Sequence, residues 1–164
     1  MILGNEIVQR VEVETFIAAP IERCFDLARS VDAHVHSAGQ TGEKVLAGRL
    51  SGLLELGENV TWEARHLGIR QRLTSQITVF DRPTFFQDRM TQGAFRHFEH
   101  DHLFTTLPNG QTRMTDVLRF QAPFGFIGRL LERLLIGPHL KQFLTRRGVA
   151  LKEMAESETW RNYV

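Results

Sequence analysis

Alternating hydrophobic and polar residues predict a β-strand over Ile7–Ala18, near the start of the chain. Ala19-Pro20 ends this alternation. Hydrophobic residues then recur at helical spacing as far as Arg29, which predicts a short amphipathic helix. Ser30 is a residue type that caps helices, so a second short helix is expected to follow it and to end near Val35. The chain is therefore expected to open with one strand and two short helices.

The alternation returns after these helices and predicts six more strands, arranged as an antiparallel meander. The first is short, Lys44–Ala47, and the glycine-rich segment 48–58 after it is expected to form a flap or an edge over a pocket. The longer strands are predicted from Asn59 onward, then at Ile69–Phe80, Phe85–Thr91, Phe95–Phe104 and Thr112–Gln121. The residues expected on the inner face of the first two are Val60, Trp62, Ala64, Leu73, Ile77 and Val79.

Helical spacing of leucines predicts one long helix at the end of the chain, after Pro123 and Gly125 have ended the sheet. Gly137-Pro138 is expected to kink or break this helix, because proline removes a hydrogen bond and crowds the preceding turn. Its hydrophobic side is expected to pack against the sheet through Ile127, Leu130, Leu131, Leu134, Leu135, Leu140, Phe143, Leu144, Leu151 and Met154. Its basic side is expected to face solvent through Lys141, Arg146, Arg147 and Lys152. The order predicts an α+β fold, a curved antiparallel sheet wrapped around a long C-terminal helix.

Composition narrows the class of protein. A chain of 164 residues suits a single domain, residues 1–164, with room for an internal cavity. The net charge of +1 gives no argument for nucleic acid as a partner. The single cysteine, Cys24, excludes an intramolecular disulfide, and it is expected to be buried in the first helix. No signal peptide and no run of ~20 apolar residues is present, so a cytoplasmic protein without stable membrane insertion is expected.

One predicted strand, Phe95–Phe104 with the sequence FRHFEHDHLF, places two histidines on the inner face of the sheet. Because side chains alternate along a strand, Phe98, His100, His102 and Phe104 share one face. The opposite face carries residues suited to solvent, His97, Glu99, Asp101 and Leu103. Imidazoles between phenylalanines are unusual on a buried face, so this strand is the candidate functional centre.

The turns on either side of this strand predict carboxylates opposite its imidazoles. A turn near Ala94 sets Asp88 opposite His100, and the Asn109-Gly110 hairpin turn sets Asp116 opposite His102. A slip of one residue in either turn would send an aspartate to the other face of the sheet. We call these four residues the histidine–carboxylate cluster. The same register predicts a cavity wall of Trp62, Phe86, Met90, Phe98, Phe104, Met114, Leu118 and Phe120, with Met90 opposite Phe98 and Phe86 opposite His102.

Three interpretations of the histidine–carboxylate cluster are open. It is a satisfied polar network on a half-buried sheet, or the polar end of a ligand pocket with or without acid–base chemistry, or a metal site. A His-x-His pair with a facing carboxylate can bind zinc or iron. No third histidine is clearly positioned, so the sequence predicts no metal and no cofactor.

Particular segments of the chain resemble a known superfamily. The start of the first helix, Ala-Pro-Ile-Glu-Arg-Cys-Phe, and the entry to the last, Pro-Phe-Gly-Phe-Ile-Gly, resemble the START-like proteins. That superfamily has the helix-grip fold, which plant pathogenesis-related ten-class proteins and polyketide cyclase/dehydrases share. The segments TWEARHLGI, FQDRM, GAFRHFEHDH and RMTDVLRFQAPFG resemble a bacterial cyclase/dehydrase-like subgroup. The resemblance covers nearly the whole chain, and it implies a deep cavity between sheet and long helix that takes an apolar or amphipathic ligand.

The expected function is therefore binding of a hydrophobic or amphipathic small molecule in an internal cavity. The alternative is a cofactor-independent cyclase or dehydratase, in which His100 or His102 is the general base and Asp116 or Asp88 orients it. A second alternative is an interaction module whose core is filled. The sequence has no phosphate-binding loop, no nucleotide fingerprint and no nucleophile beside a base, which argues against kinase, dehydrogenase or hydrolase chemistry.

Overall fold

The computed structural model of the chain describes residues 8–164, apart from the side chain of Gln40. Ile7, the first residue of the first predicted strand, lies outside the described residues. Seven strands are formed: β1 Gln9–Ile17, β2 Lys44–Gly48, β3 Asn59–His66, β4 Ile69–Asp81, β5 Phe85–Gln92, β6 His97–Thr106 and β7 Thr112–Gln121. The helices are α1 Ile21–Arg29, α2 Val31–Ser37, α3 Gly125–Leu131 and α4 Gly137–Glu156, with a π-helical turn at Glu132–Ile136 between the last two.

The strands form one antiparallel sheet in the order β1-β7-β6-β5-β4-β3-β2. It curves around α4, which packs against β1, α1 and α2. The predicted α+β class and element order are confirmed. β6 lies in the interior of the sheet between β5 and β7, so the histidine-bearing strand has a hydrogen-bonded neighbour on each side. None of the described helices combines the length and hydrophobicity needed to cross a lipid bilayer.

The two short helices begin and end close to where their sequences predict. Ser30 follows α1 and caps α2, because its hydroxyl accepts a hydrogen bond from the backbone N–H of Ala33. Cys24 and Phe25 lie on the buried side of α1, as the spacing predicts. Phe25 meets the rings of Phe80, Phe86 and Phe104 edge-on, with centroids 5.3–5.4 Å apart. This aromatic group fixes α1 against one end of the sheet.

The predicted inward position of Val79 is wrong. A β-bulge between Ile77 and Val79 adds one unpaired residue to β4, which reverses the side that later side chains face. Ile77 is therefore buried, Val79 is exposed, and Phe80 turns inward to pack on Phe25. The alternation of hydrophobic and polar residues along a strand does not reveal such an insertion.

The leucines of the final helical region are divided between core and solvent, contrary to the prediction that all pack against the sheet. In α4 the predicted core residues Leu140, Leu144, Leu151 and Met154 are buried. In α3 and the π-helical turn the predicted core residues Ile127, Leu130, Leu131, Leu134 and Leu135 are exposed by 40–66%. We call the exposed segment Phe124–Leu135 the apolar rim.

The apolar rim faces outward because its small and polar residues hold its other side to the protein. Gly128 is buried, and a side chain there would collide with the carbonyl of Pro123. Glu132, one turn later, is also buried and accepts a hydrogen bond from the backbone N–H of Ala122. The predicted kink or break at Gly137-Pro138 takes the form of an irregularity: a π-helical turn precedes the two residues, and α4 begins at Gly137.

Candidate functional site

Two adjoining chambers lie between the concave face of the sheet and the C-terminal helical region. The inner chamber has a volume of about 110 Å³ and the outer chamber about 420 Å³. Six residues line both, namely Glu43, Trp62, His66, Leu73, Phe98 and Leu140. The space is therefore not filled, contrary to the filled-core alternative.

The outer chamber has mostly apolar walls. They are contributed by the β3–β4 turn and the start of β4, by the turn before β6, and by the apolar rim with the residue after it, through Leu67, Ile69, Phe95, Leu131, Leu135 and Ile136. Leu67, Ile69 and Leu135 are more than half exposed, so the outer chamber opens to solvent between the β3–β4 turn and the apolar rim. This chamber suits the apolar body of a ligand.

The inner chamber ends at the histidine–carboxylate cluster. Asp88 of β5 lies opposite His100 of β6, and Asp116 of β7 lies opposite His102, as the turn positions predict. Gly110 adopts a φ of 80° in the hairpin turn before β7, which is the conformation that fixes this register. Phe86 also lies opposite His102, but the β5–β6 pairing stops at Arg89 and Glu99, so the predicted Met90–Phe98 pair is absent from it.

The two imidazoles share carboxylate oxygens on both sides. Asp88 Oδ2 lies 3.1 Å from His102 Nε2 and 3.9 Å from His100 Nδ1. Asp116 Oδ1 lies 2.9 Å from His100 Nε2 and 2.9 Å from His102 Nδ1. The Asp88–His102 contact is an aligned hydrogen bond, whereas the two contacts to Asp116 are close but bent. The imidazole rings lie with centroids 3.8 Å apart, and the ring of Phe86 stacks on that of His102.

This geometry shifts the pKa values of the two histidines in opposite directions. Burial opposes a charge on His102, but its contacts with Asp116 and Asp88 outweigh burial and raise its pKa above the ordinary value. Burial, reinforced by the neighbouring His102, lowers the pKa of His100. Burial alone would raise the pKa of Asp116, but its two histidine contacts hold that pKa well below the ordinary range. The carboxylates thus favour a proton on His102, whereas burial favours the neutral form of His100.

Four of the eight predicted cavity residues line the inner chamber: Trp62, Phe86, Phe98 and Leu118. The other four share the inner face of the sheet but do not line either chamber. Phe104 and Met114 belong to the core around Phe25, and Phe120 is fully buried against the ring of Phe95. Met90 lies beside Gly93, at the edge of the sheet's concave surface.

Arg147 is an important residue of the inner chamber that the sequence interpretation placed in solvent. It is 4% exposed, it donates a hydrogen bond to the carbonyl of Ala28, and its Nε has no aligned acceptor among the described residues. A signal was available, because Leu140, Leu144, Arg147 and Leu151 recur at intervals of four, three and four residues, which is one helical face. The position of Arg147 on this face, and not its charge, decides its burial.

Three further polar residues of the inner chamber also carried no predicted role. His34 stacks on the ring of Trp62 at 4.2 Å between centroids, and its Nε2 lies 3.3 Å from Glu43 Oε2. His66 lines both chambers. Burial would raise the pKa of Glu43, but His34 lowers it overall, so this carboxylate is ionised beside the chamber.

The outer face of β6 differs from the prediction of a solvent-facing surface. Glu99 and Asp101 point away from the chambers, as alternation predicts, yet both are at most 9% exposed. Arg119 contacts both carboxylates at 3.2 and 2.6 Å, and Arg89 forms a second ion pair with Glu99 at 2.6 Å. Long arginine side chains cover these carboxylates. This outer network provides chemically matched controls for the inner one.

Comparison with known structures identifies the fold of this chain. A START superfamily protein from Mycobacterium smegmatis superposes with a TM-score of 0.68 at 13% identity, covering 90% of this chain and 97% of that one. The chain has the START-like helix-grip fold. The major latex-like protein 151 of Panax ginseng superposes with a TM-score of 0.65 at 12% identity, covering 92% of this chain and 99% of that one.

A third structure similar to this chain is the Zhui aromatase/cyclase of Streptomyces sp. R1128. Its TM-score is 0.65 at 17% identity, covering 95% of this chain and 96% of that one. No protein-family model and no curated protein matches the sequence. The predicted START-like resemblance is thus confirmed for the fold, and the activity named for the Streptomyces protein does not transfer at this identity.

Proposed function

We propose that the chain binds an amphipathic small molecule, with its apolar body in the outer chamber and its polar end in the inner chamber. The observation that carries this proposal is the polarity gradient across two chambers with a common wall. The outer walls are apolar, and the inner walls hold Asp88, His100, His102 and Arg147. A volume of about 420 Å³ in the outer chamber falls within the range of roughly 300–1,000 Å³ usual for small-molecule sites.

Intrinsic fluorescence provides a direct test, because Trp62 lines both chambers. The second tryptophan, Trp160, lies between the guanidinium groups of Arg23 and Arg161, away from the chambers. In a Trp160→Phe background, the emission of Trp62 is expected to change saturably during titration with dodecanol, dodecylamine or dodecanoate. Comparing the three probes identifies the preferred polar group. Native mass spectrometry of the same samples is expected to show one bound molecule per chain.

A filling substitution with a matched control tests the location. Ala64 is 7% exposed and lines the outer chamber, so Ala64→Phe is expected to occupy part of its volume and weaken probe binding at least tenfold. Val79→Phe adds the same bulk to the opposite face of the sheet and is expected to leave binding unchanged. Equal effects of the two substitutions, or no saturable change with any probe, would contradict the proposal.

A further inference from the structure

Three electron-pair donors converge at the inner end of the chambers. One carboxylate oxygen of Asp88 and one ring nitrogen from each of His100 and His102 all lie within 4.8 Å of one another. Ligand atoms about 2.0–2.2 Å from a metal ion, at tetrahedral or octahedral angles, are about 3.0–3.5 Å apart. The 3.1 Å contact between Asp88 and His102 already has this spacing, and the 3.9 Å contact to His100 needs a shift of a few tenths of an ångström.

Asp116 supplies the outer support that such a site needs. Its Oδ1 lies 2.9 Å from the two ring nitrogens that face away from Asp88, namely His100 Nε2 and His102 Nδ1. Histidines that bind metals usually donate their other N–H to a carboxylate, which fixes the tautomer and the ring orientation. If each ring carries its proton on the nitrogen that faces Asp116, the nitrogens that face Asp88, His100 Nδ1 and His102 Nε2, are unprotonated and can bind a metal.

The charges around the inner chamber favour a cation. Three carboxylates surround it, those of Glu43, Asp88 and Asp116. Among the described residues, the guanidinium groups that line it are Arg147 and Arg29, and Arg29 is already paired with acids outside the chamber. A metal ion binds imidazoles in their neutral form, so it would replace the proton that these carboxylates favour on His102. The carboxylates then exceed Arg147 by two negative charges, which a divalent ion would balance.

We infer that Asp88, His100 and His102 bind a divalent transition-metal ion, with Asp116 as the outer-shell partner of both histidines. Two imidazoles and one carboxylate are the ligand set of iron and zinc sites that keep open coordination positions. The open positions here face the inner chamber, because all three ligand residues line it. The sequence predicted no metal for want of a third histidine; in this site the third ligand is Asp88, which the sequence had already placed opposite His100. This inference is independent of the ligand-binding proposal, since its test needs no organic ligand.

The test uses the full chain after treatment with a chelator, titrated with Co²⁺ and followed by visible absorption. We expect one Co²⁺ per chain, with absorption bands that differ from those of the hydrated ion, and competition by Zn²⁺. His100→Gln, His102→Gln and Asp88→Asn are each expected to weaken binding by more than about 100-fold. Asp116→Asn is expected to weaken it by about 10–100-fold while preserving the spectrum, as for other outer-shell partners.

Asp101→Asn and His97→Gln are the matched controls, because both residues lie on the outer face of β6. They are expected to bind Co²⁺ like the wild-type chain. A measurement on the wild-type chain alone tests the inference even if the variants fail to fold. One equivalent of Zn²⁺ should shift the NMR signals of the His100 and His102 rings, and it should not shift those of His97. Absence of stoichiometric binding, or binding that survives all three ligand substitutions, would overturn the inference.

Discussion

At the scale of single residues, two histidines join β3 to α4 at the opening of the chambers. His66 Nδ1 lies 3.0 Å from His139 Nε2, so one ring donates a hydrogen bond and the other accepts it. The accepting ring must be neutral, so this hydrogen bond is lost when both rings are protonated. Burial lowers the pKa of both histidines; His139 further lowers that of His66 against the opposing effect of Glu43, and Arg146 further lowers that of His139.

We expect this pair to make the folded chain less stable in mild acid. Because both pKa values are lower in the folded state than the ordinary value of about 6.5, the unfolded chain binds protons first as the pH falls. The contribution of the pair is therefore complete above about pH 6.5 and is lost as the pH falls below it. Urea unfolding at pH 7.5 and pH 5.5 should show that acid lowers the free energy of unfolding of the wild-type chain relative to that of His139→Gln.

His97→Gln is the control for this experiment, since His97 lies on the outer face of the sheet and outside both chambers. Its profile should follow that of the wild type. A His139→Gln profile as steep as the wild-type one would show that the pair does not titrate as described.

At the scale of elements, the packing of α4 on β1 depends on one close approach. Gly148 is buried in α4, and a Cβ there would collide with Thr15 Oγ1 of β1. Threonine is β-branched and stiff, so it cannot move aside as a long side chain would. Gly148 therefore sets the distance between the helix and the edge of the sheet.

Gly148→Ala is expected to lower the free energy of unfolding by about 1–3 kcal/mol, the usual cost of overpacking, although alanine favours a helix. In a Thr15→Ala background the collision is removed, and the same substitution should instead stabilise the chain by about 1 kcal/mol. Gly39→Ala is the control, because among the described residues no atom beyond its chain neighbours lies within 4 Å of its would-be Cβ. Chemical denaturation of the four chains measures the cycle, and an unchanged sign in the Thr15→Ala background would refute the packing argument.

The elements also show what this sequence can predict and what it cannot. The Asp88–His100 and Asp116–His102 pairs follow from alternation and turn positions, because period two and a hairpin leave little freedom of register. The outward position of Val79 cannot be predicted in this way, because no residue type in the sequence indicates the β-bulge. The burial of Arg147 could be predicted from helical spacing. It was not predicted because the charge of the residue was given more weight than its position on the helix.

At the scale of the whole molecule, hydrophobic residues occupy a broad exposed surface as well as the core. The apolar rim repeats the leucine spacing of α4, and spacing alone cannot tell which of two helical stripes faces inward. Buried Gly128 and Glu132 decide the matter for α3 and the π-helical turn, through contacts with Pro123 and Ala122. The spacing of hydrophobic residues gives no information about these contacts, so the orientation of the rim could not be derived from the sequence.

Leu134→Gln is therefore expected to change the free energy of unfolding by no more than about 0.5 kcal/mol, as other exposed positions do. It should also reduce retention of the folded chain on a phenyl column. Leu144→Gln makes the same chemical change at a 2% exposed position and should cost roughly 3–5 kcal/mol. Similar losses of stability for both substitutions would show that the rim is packed against the protein.

The strand order has a consequence for how the chain is made. β1 pairs with β7 along its whole length, from Gln9 opposite Phe120 to Ile17 opposite Thr112, although β7 is the last strand to be synthesised. At the usual pace of translation, about 5–20 residues per second, β1 waits for roughly 5–20 s without its partner. During that interval its inward residues, including Val11 and Val13, have no strand beside them. Nascent chains of this protein should consequently bind chaperones until β7 has left the ribosome, and release them abruptly when the sheet closes.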